Sequence, residues 1–157
     1  MTISGVTTFL WFDKEAEEAA RFYVSLFPQS HMGNIAYYPE GGQLPAGTVL
    51  TVEFEIFGQS FACLNGGPLF PHSEAVSFQV ACDTQEEIDH LWNSLIANGG
   101  AESQCGWCKD RFGVSWQIIP KALPEALSSP NADISQYAMQ AMLQMSKIII
   151  AALTTPA

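Results

Sequence analysis

Apolar residues recur along this chain at two spacings, and the switches between them mark out the elements. Residues 6–27 read VTTFLWFDKEAEEAARFYVSLF and residues 76–96 read VSFQVACDTQEEIDHLWNSLI. Each opens with alternation, which puts successive side chains on opposite faces of a strand. Each then meets an Asp and acidic residues and changes to three- and four-residue spacing, the signature of a helix with one buried face. In the second helix Ile88, Leu91, Trp92, Leu95 and Ile96 share that face. Thr84 and Glu87 there form a capping box, and Gly99-Gly100 supplies the left-handed stop. In the first, Asp13 is expected to cap, Ala19, Phe22, Tyr23, Leu26 and Phe27 line the buried side, and Pro28 ends it.

Further strand patterns cover 31–38, 48–57 and 60–65, with a Gly- and Pro-bearing loop at 39–47 and a tight turn at Gly58-Gln59. Gly66-Gly67-Pro68 closes this first stretch. After the second helix come strand patterns at 102–108 and 114–119, split by a turn at Asp110 to Gly113. A third helix is predicted at about 133–145, and an apolar closing strand at 147–153 is expected to pair with a sheet edge.

The two halves match in order and in detail. Phe22 to Phe27 align with Leu91 to Ile96 at an offset of 69, and Asp13 aligns with Asp83 at 70. The expected fold is therefore α+β: two β-α-β-β-β units with mixed, curved sheets, helices on the outer face and one polar groove within. The first unit spans 4–68 and the second 73–120, while 121–157 supplies C-terminal helices and the closing strand of one domain.

Composition narrows the field. The 157 residues are 48% hydrophobic and only 14% charged, with six Lys and Arg against sixteen Asp and Glu, a net charge of −10. So few charges imply extensive burial, part of it expected in an oligomer interface; with the apolar tail and the resemblance given below, a homodimer is expected. The acidic balance excludes nucleic acid and anionic membranes as partners, since both require basic patches. No stretch reaches the roughly 20 apolar residues of a membrane helix. Met1 to Gly5 shows no basic-then-apolar leader, and four cysteines without one read as reduced thiols, so a cytoplasmic location is expected.

Alternation sorts the strand residues into two sets. Phe9, Trp11, Ala62, Leu64, Val76, Phe78, Val80, Val114, Trp116 and Ile118 form an apolar set suited to packing on helices. Thr8, Cys63, Asn65, Ser77, Gln79, Ser115 and Gln117 form a polar set, with Leu10 and Phe12 as apolar company. A solvated sheet face carries Lys, Glu and Arg, whereas uncharged hydrogen-bonding groups beside aromatics describe a semi-enclosed pocket. A polar face covered by a dimer partner is the alternative.

The segments TTFLWFDKEAEEAARFYVSLFPQS, VLTVEFEIFGQSFACLNGGP, AVSFQVACDTQEEIDHLWNSL and CGWCKDRFGVSWQIIP together resemble the PhnB-like branch of the glyoxalase and bleomycin-resistance, or vicinal-oxygen-chelate, superfamily. That branch carries the label 3-demethylubiquinone 3-methyltransferase-like. The resemblance implies paired strand–helix–strand units, usually dimeric, with a groove beneath each sheet. In metal-using members four groove-face ligands hold a cation, and the corresponding places here fall on Thr8, Cys63, Ser77 and Gln117. None is His, Glu or Asp, so no metal is expected at that place. The methyltransferase label lacks local support, because no Gly-rich strand-to-helix turn with a downstream acidic residue is present. No cofactor is expected.

Other residues invite chemistry. Cys105-Gly106-Trp107-Cys108 is a CxxC motif, but it lies between strand segments and not at a helix N-terminus, and no second ligand pair accompanies it. Two packed thiols are the simpler account. His31, His72 and His90 share no metal spacing and read as surface residues. Trp107, Lys109 and Arg111 surround the last hairpin, where two cations suit an anionic substrate group or merely a solvated turn with Asp110. Glu53 alternates with an apolar row and fits either a general base or an exposed carboxylate.

The expected function is a metal-free protein binding a small organic molecule with Thr8, Glu53, Cys63, Asn65, Ser77, Gln79, Trp107 and Gln117, either sequestering it or acting on it through Glu53 or Cys63. The alternatives are a metal-dependent lyase, isomerase or dioxygenase of the superfamily, a methyltransferase-like enzyme, and a dimeric interaction module with a vestigial groove. The sequence leaves open whether any reaction occurs.

Overall fold

A computed structural model describes residues 2–154. Contacts divide the chain at His72/Ser73 into two compact units. The first contains β1 (Thr8–Phe12), α1 (Ala16–Leu26), β2 (Ser30–Tyr37), β3 (Val49–Ile56) and β4 (Gln59–Asn65). The second contains β5 (Ser77–Cys82), α2 (Gln85–Ile96), β6 (Ala101–Glu102), β7 (Trp107–Lys109), β8 (Ser115–Pro120), α3 (Ala122–Leu127) and α4 (Ala132–Leu143). Each unit has one four-stranded mixed sheet, ordered β1-β4-β3-β2 and β5-β8-β7-β6. The first strand pairs parallel with the last, β1 with β4 and β5 with β8, and the remaining pairs are antiparallel. The duplicated pattern in sequence is thus a duplicated topology, an α+β arrangement.

In the second unit Ile88, Leu91, Trp92 and Leu95 of α2 are buried against Phe78, Val80, Cys82, Cys108, Trp116 and Ile118. Fully burying side chains such as Ile88 and Leu95 contributes about 2 kcal/mol each. The capping box is present: Thr84 Oγ1 accepts from Glu87 N, and Glu87 Oε2 accepts from Thr84 N.

The first unit departs from expectation at its helix and in its sheet faces. Helix α1 begins at Ala16, and its N-cap residue Glu15 makes no side-chain cap. Asp13 is not the cap. Instead Asn65 Oδ1, from the end of β4, accepts from Ala16 N at 2.8 Å. A strand therefore supplies the acceptor that the helix start leaves wanting. The residues packed on α1 are Leu10, Phe12, Val52, Phe54, Ile56, Phe61 and Cys63, which share one face by register. Phe9, Trp11, Ala62 and Leu64 lie on the other face, the reverse of the expected sorting.

The cause is a single residue. Buried helix positions correspond at an offset of 69, as in Tyr23 with Trp92 and Leu26 with Leu95. The preceding strands correspond at 70, as in Phe12 with Cys82, because Asp13, Lys14 and Glu15 separate β1 from α1 while only Asp83 and Thr84 separate β5 from α2. A slip of one residue exchanges the faces of a strand.

Two further differences lie in the second unit. The expected strand at 102–108 is broken between β6 and β7, where Cys105 and Gly106 take φ values of 58° and 83°. The expected closing strand at 147–153 is not a strand. It contains a 3₁₀ turn at Ile150–Ala152, and Ile148 and Leu153 join Leu123 in a small apolar cluster. Its peptide groups are met elsewhere: Gln85 Nε2 donates to Ile148 O, Gln85 Oε1 accepts from Ile150 N, and Met145 O and Ser146 O accept from Cys105 N and Gly106 N. Helix α3, between β8 and α4, was not expected from the periodicity.

Candidate functional site

The sheet face turned away from α2 gathers the second unit's predicted residues. Register places Ser77 beside Ser115 and Lys109, and Gln79 beside Gln117 and Trp107, all on this one face. Gln117 is the centre: its Nε2 donates to Ser77 Oγ at 2.8 Å, and its Oε1 accepts from Gln79 Nε2 at 3.3 Å. Ser77, Gln117 and Trp107 are half-buried and Gln79 is exposed. Lys109 Nζ meets Glu74 Oε1 at 2.5 Å, and that partner holds the Glu74 carboxyl below its ordinary pKa. The face offers fixed amide and hydroxyl groups, one ammonium and an indole ring. That inventory suits hydrogen bonding and ring stacking.

In the first unit only Glu53 of the four predicted residues stands on the corresponding open face. Cys63 has no exposed surface and packs in the α1-facing core, paired with Val52 and Leu10. Thr8 is paired with buried Phe61 and belongs to that same face. Asn65 is 3% exposed and fully occupied: besides capping α1, its Nδ2 donates to Val49 O at 3.0 Å and its carbonyl accepts from Tyr38 Oη at 2.6 Å. Cys63 and Asn65 are structural, Thr8 lies on their face, and the faces are exchanged by the extra residue before α1. The signal that identifies the open face is the 70-residue offset of Asp13 and Asp83, which pairs Ser77 with Thr7.

A polar row crosses that open face, Thr7, Ser60, Glu55 and His31, with Glu53 in the next row beside Ala62. These residues line a shallow cavity of about 290 Å³. Gly33 makes the space, since a Cβ there would lie 3.1 Å from that of Glu53. Farther along, the face turns aromatic: Phe9 is 60% exposed, and Trp11 packs edge-on to Phe70 with its Nε1 donating to Gly67 O at 2.7 Å. Gly66 has to be glycine, because a Cβ would fall within 2.7 Å of the Trp11 ring.

With the first unit's face corrected, the two places there that the resemblance implies become Thr7 and Ala62, and those of the second unit stay at Ser77 and Gln117. Neither pair supplies an imidazole or carboxylate. Among the described residues no group of three or more His, Cys, Asp or Glu side chains is placed to hold one.

The CxxC cysteines do not make a redox pair by the usual device. All four cysteines are free thiols. Cys108 faces α2, and burial pushes its pKa up to about 12, with Asp110 and Glu102 adding to the effect. Asp110 is buried beneath the last hairpin, accepting from Phe112 N, Val114 N and Trp116 Nε1. Arg111 lies 4.6 Å from the Phe112 ring centroid. His72 is half-buried against Phe12, whereas His31 and His90 are exposed.

The family model for 3-demethylubiquinone-9 3-methyltransferase matches residues 4–119. A putative 3-demethylubiquinone-9 3-methyltransferase, PhnB protein, from Bacillus cereus is 38% identical, with a TM-score of 0.67 over 74% of this chain and 99% of its own. Protein PA1353 from Pseudomonas aeruginosa is 18% identical, with a TM-score of 0.59 over 75% of this chain and 98% of its own. A glyoxalase/bleomycin resistance protein from Albidiferax ferrireducens T118 is 15% identical, with a TM-score of 0.48 over 73% and 96%. No curated protein matches the chain.

Proposed function

The chain belongs to the 3-demethylubiquinone-9 3-methyltransferase family, in its PhnB-like form with the glyoxalase/bleomycin-resistance fold, and on that premise we propose that it binds a small organic molecule without a metal ion. The observation that carries this reading is Gln117, fixed on one side by Ser77 and on the other by Gln79, on a reachable sheet face beside Trp107. A polar network with no charged ligand set and an adjoining ring recognises a molecule by shape and hydrogen bonding. Ser77, Gln79, Trp107 and Gln117 are the contact residues in this reading.

The methyl transfer in the family's description does not follow from these residues. The turns that lead into α1 and α2 are Asp13-Lys14-Glu15 and Asp83-Thr84. A methyl donor's carboxylate and nucleoside would meet acidic side chains there and no glycine-rich amide cradle. Glu53 supports a second reading, proton abstraction from a ligand in the first unit's cavity.

Four free thiols support a reducing, cytoplasmic compartment, and the low charge supports a homodimer. Among the described residues no helix is long and apolar enough to cross a membrane.

Thermal-shift screening of aromatic, quinone and dicarbonyl compounds in chelator-containing buffer tests the proposal. A hit should survive the chelator and weaken in Gln117→Ala. Hits that appear only with added divalent ions would overturn it. Glu53→Gln tests the second reading, since it should abolish turnover and spare binding.

A further inference from the structure

The open face of the second sheet holds a polar atom with no partner. Ser115 is 1% exposed, and its Oγ makes no hydrogen bond. A buried hydroxyl left so is rare, because it forfeits its bonds to water without replacement. Register sets Ser115 between Ser77 on β5 and Lys109 on β7, with all three side chains on the same face. Directly opposed residues on neighbouring strands approach within about 5 Å at Cβ.

The row is rich in donors. Ser77 Oγ accepts from Gln117, which leaves its own proton to give. Ser115 has an O–H to give, and Lys109 has three N–H bonds. Lys109 meets the Glu74 carboxylate, which comes from the segment before β5 and is 64% exposed at its side chain. Lys121 with Asp83 and Lys147 with Asp89 pair away from this face, at the start of α3 and on α2. Glu74 thus does what an external carboxylate would do.

We propose that the ligand of this face is a planar carboxylic acid, and that Glu74 is its internal competitor. The inference rests on the reading that the face binds a small molecule, and it names the class. One carboxylate oxygen displaces Glu74 at Lys109, the other accepts from Ser115, and the ring lies along Trp107, which shares the face two residues before Lys109. Without local cations a protein of net charge −10 repels an acid, so Lys109 decides selectivity.

Isothermal titration with 4-hydroxybenzoate and 4-hydroxybenzamide, in chelator, tests this. The acid should bind about tenfold tighter than the amide, the worth of one charge-assisted bond. Lys109→Met should remove that preference and leave amide binding unchanged. Ser115→Ala should weaken the acid while thermal stability holds or rises, since the hydroxyl it removes has no partner. Glu74→Gln should tighten the acid severalfold and leave the amide unmoved. Equal binding of acid and amide, or acid affinity unmoved by Glu74→Gln, overturns the inference. So does failure of the acid to bind both the unmodified protein and Glu74→Gln. A library hit among neutral compounds with no binding of the acid would leave the broader small-molecule reading standing and sink only this one.

Discussion

Asn65 separates a structural from a functional account of the first sheet, and its replacement by Ala gives a number. The substitution deletes two hydrogen bonds, the buried one from Ala16 N to Oδ1 at 2.8 Å and the half-buried one from Nδ2 to Val49 O at 3.0 Å. Each contributes about 1 kcal/mol net. Ala16 has no exposed surface, so its N–H stays unpaired in the variant, which adds about 1–2 kcal/mol. The sum is roughly 3–4 kcal/mol, a large part of a typical domain's stability. Urea unfolding followed by fluorescence and circular dichroism measures it as a shift of midpoint at unchanged slope. Asn65→Asp keeps the acceptor at the helix start and loses the donor to Val49, so it should fall between wild type and Asn65→Ala. If Asn65→Ala costs less than about 1 kcal/mol, Asn65 is not the cap, and its place on the helix side of the sheet loses its rationale.

Four other outcomes follow from the same geometry. Asp110→Asn should cost about 2–3 kcal/mol in urea unfolding, because an amide cannot accept from Phe112 N, Val114 N and Trp116 Nε1 without setting a donor against a donor. Gly58→Ala should cost about 1 kcal/mol by thermal melting, since Gly58 has φ +79° with open space around it and the loss is backbone strain alone. Aromatic-disulfide titration of the native protein at mildly alkaline pH should modify Cys105 first. Cys63 is fully buried, and burial pushes Cys82 to about 11 and Cys108 to about 12, so the remaining thiols should appear only in denaturant. Asp89 is held below its ordinary pKa by Lys147 first and then Gln85, so its contribution is complete above the ordinary carboxylate range and is lost as pH falls below it. Carboxyl-carbon NMR should show that titration returning toward the ordinary value in Lys147→Met.

The repeat, both long helices and most strands were legible in the chain, because periods of two and of three to four residues are local properties of a sequence and leave their mark whatever the surroundings. The second unit's open face was legible too, since Ser77, Gln79, Ser115 and Gln117 alternate with residues that only a helix-covered core would take. In the first unit the same alternation was visible but its sign was not. Leu10 and Phe12 are as apolar as Phe9 and Trp11, so composition ranks neither face. The decision falls to the connection into α1, one residue longer than its counterpart, together with the buried Asn65 that ties β4 to the start of that helix.

The tail departs from the expected strand for a related reason. An apolar run states that it will be buried, not against what, and Ile148 and Leu153 found Leu123 and the C-terminal helices, with Gln85 answering the peptide groups that a strand partner would have met. Sequence alone determined which residues seek burial and with what period. Which side of a sheet they take, and which polar groups end up beside one another, depended on partners distant in the chain and therefore on the folded structure.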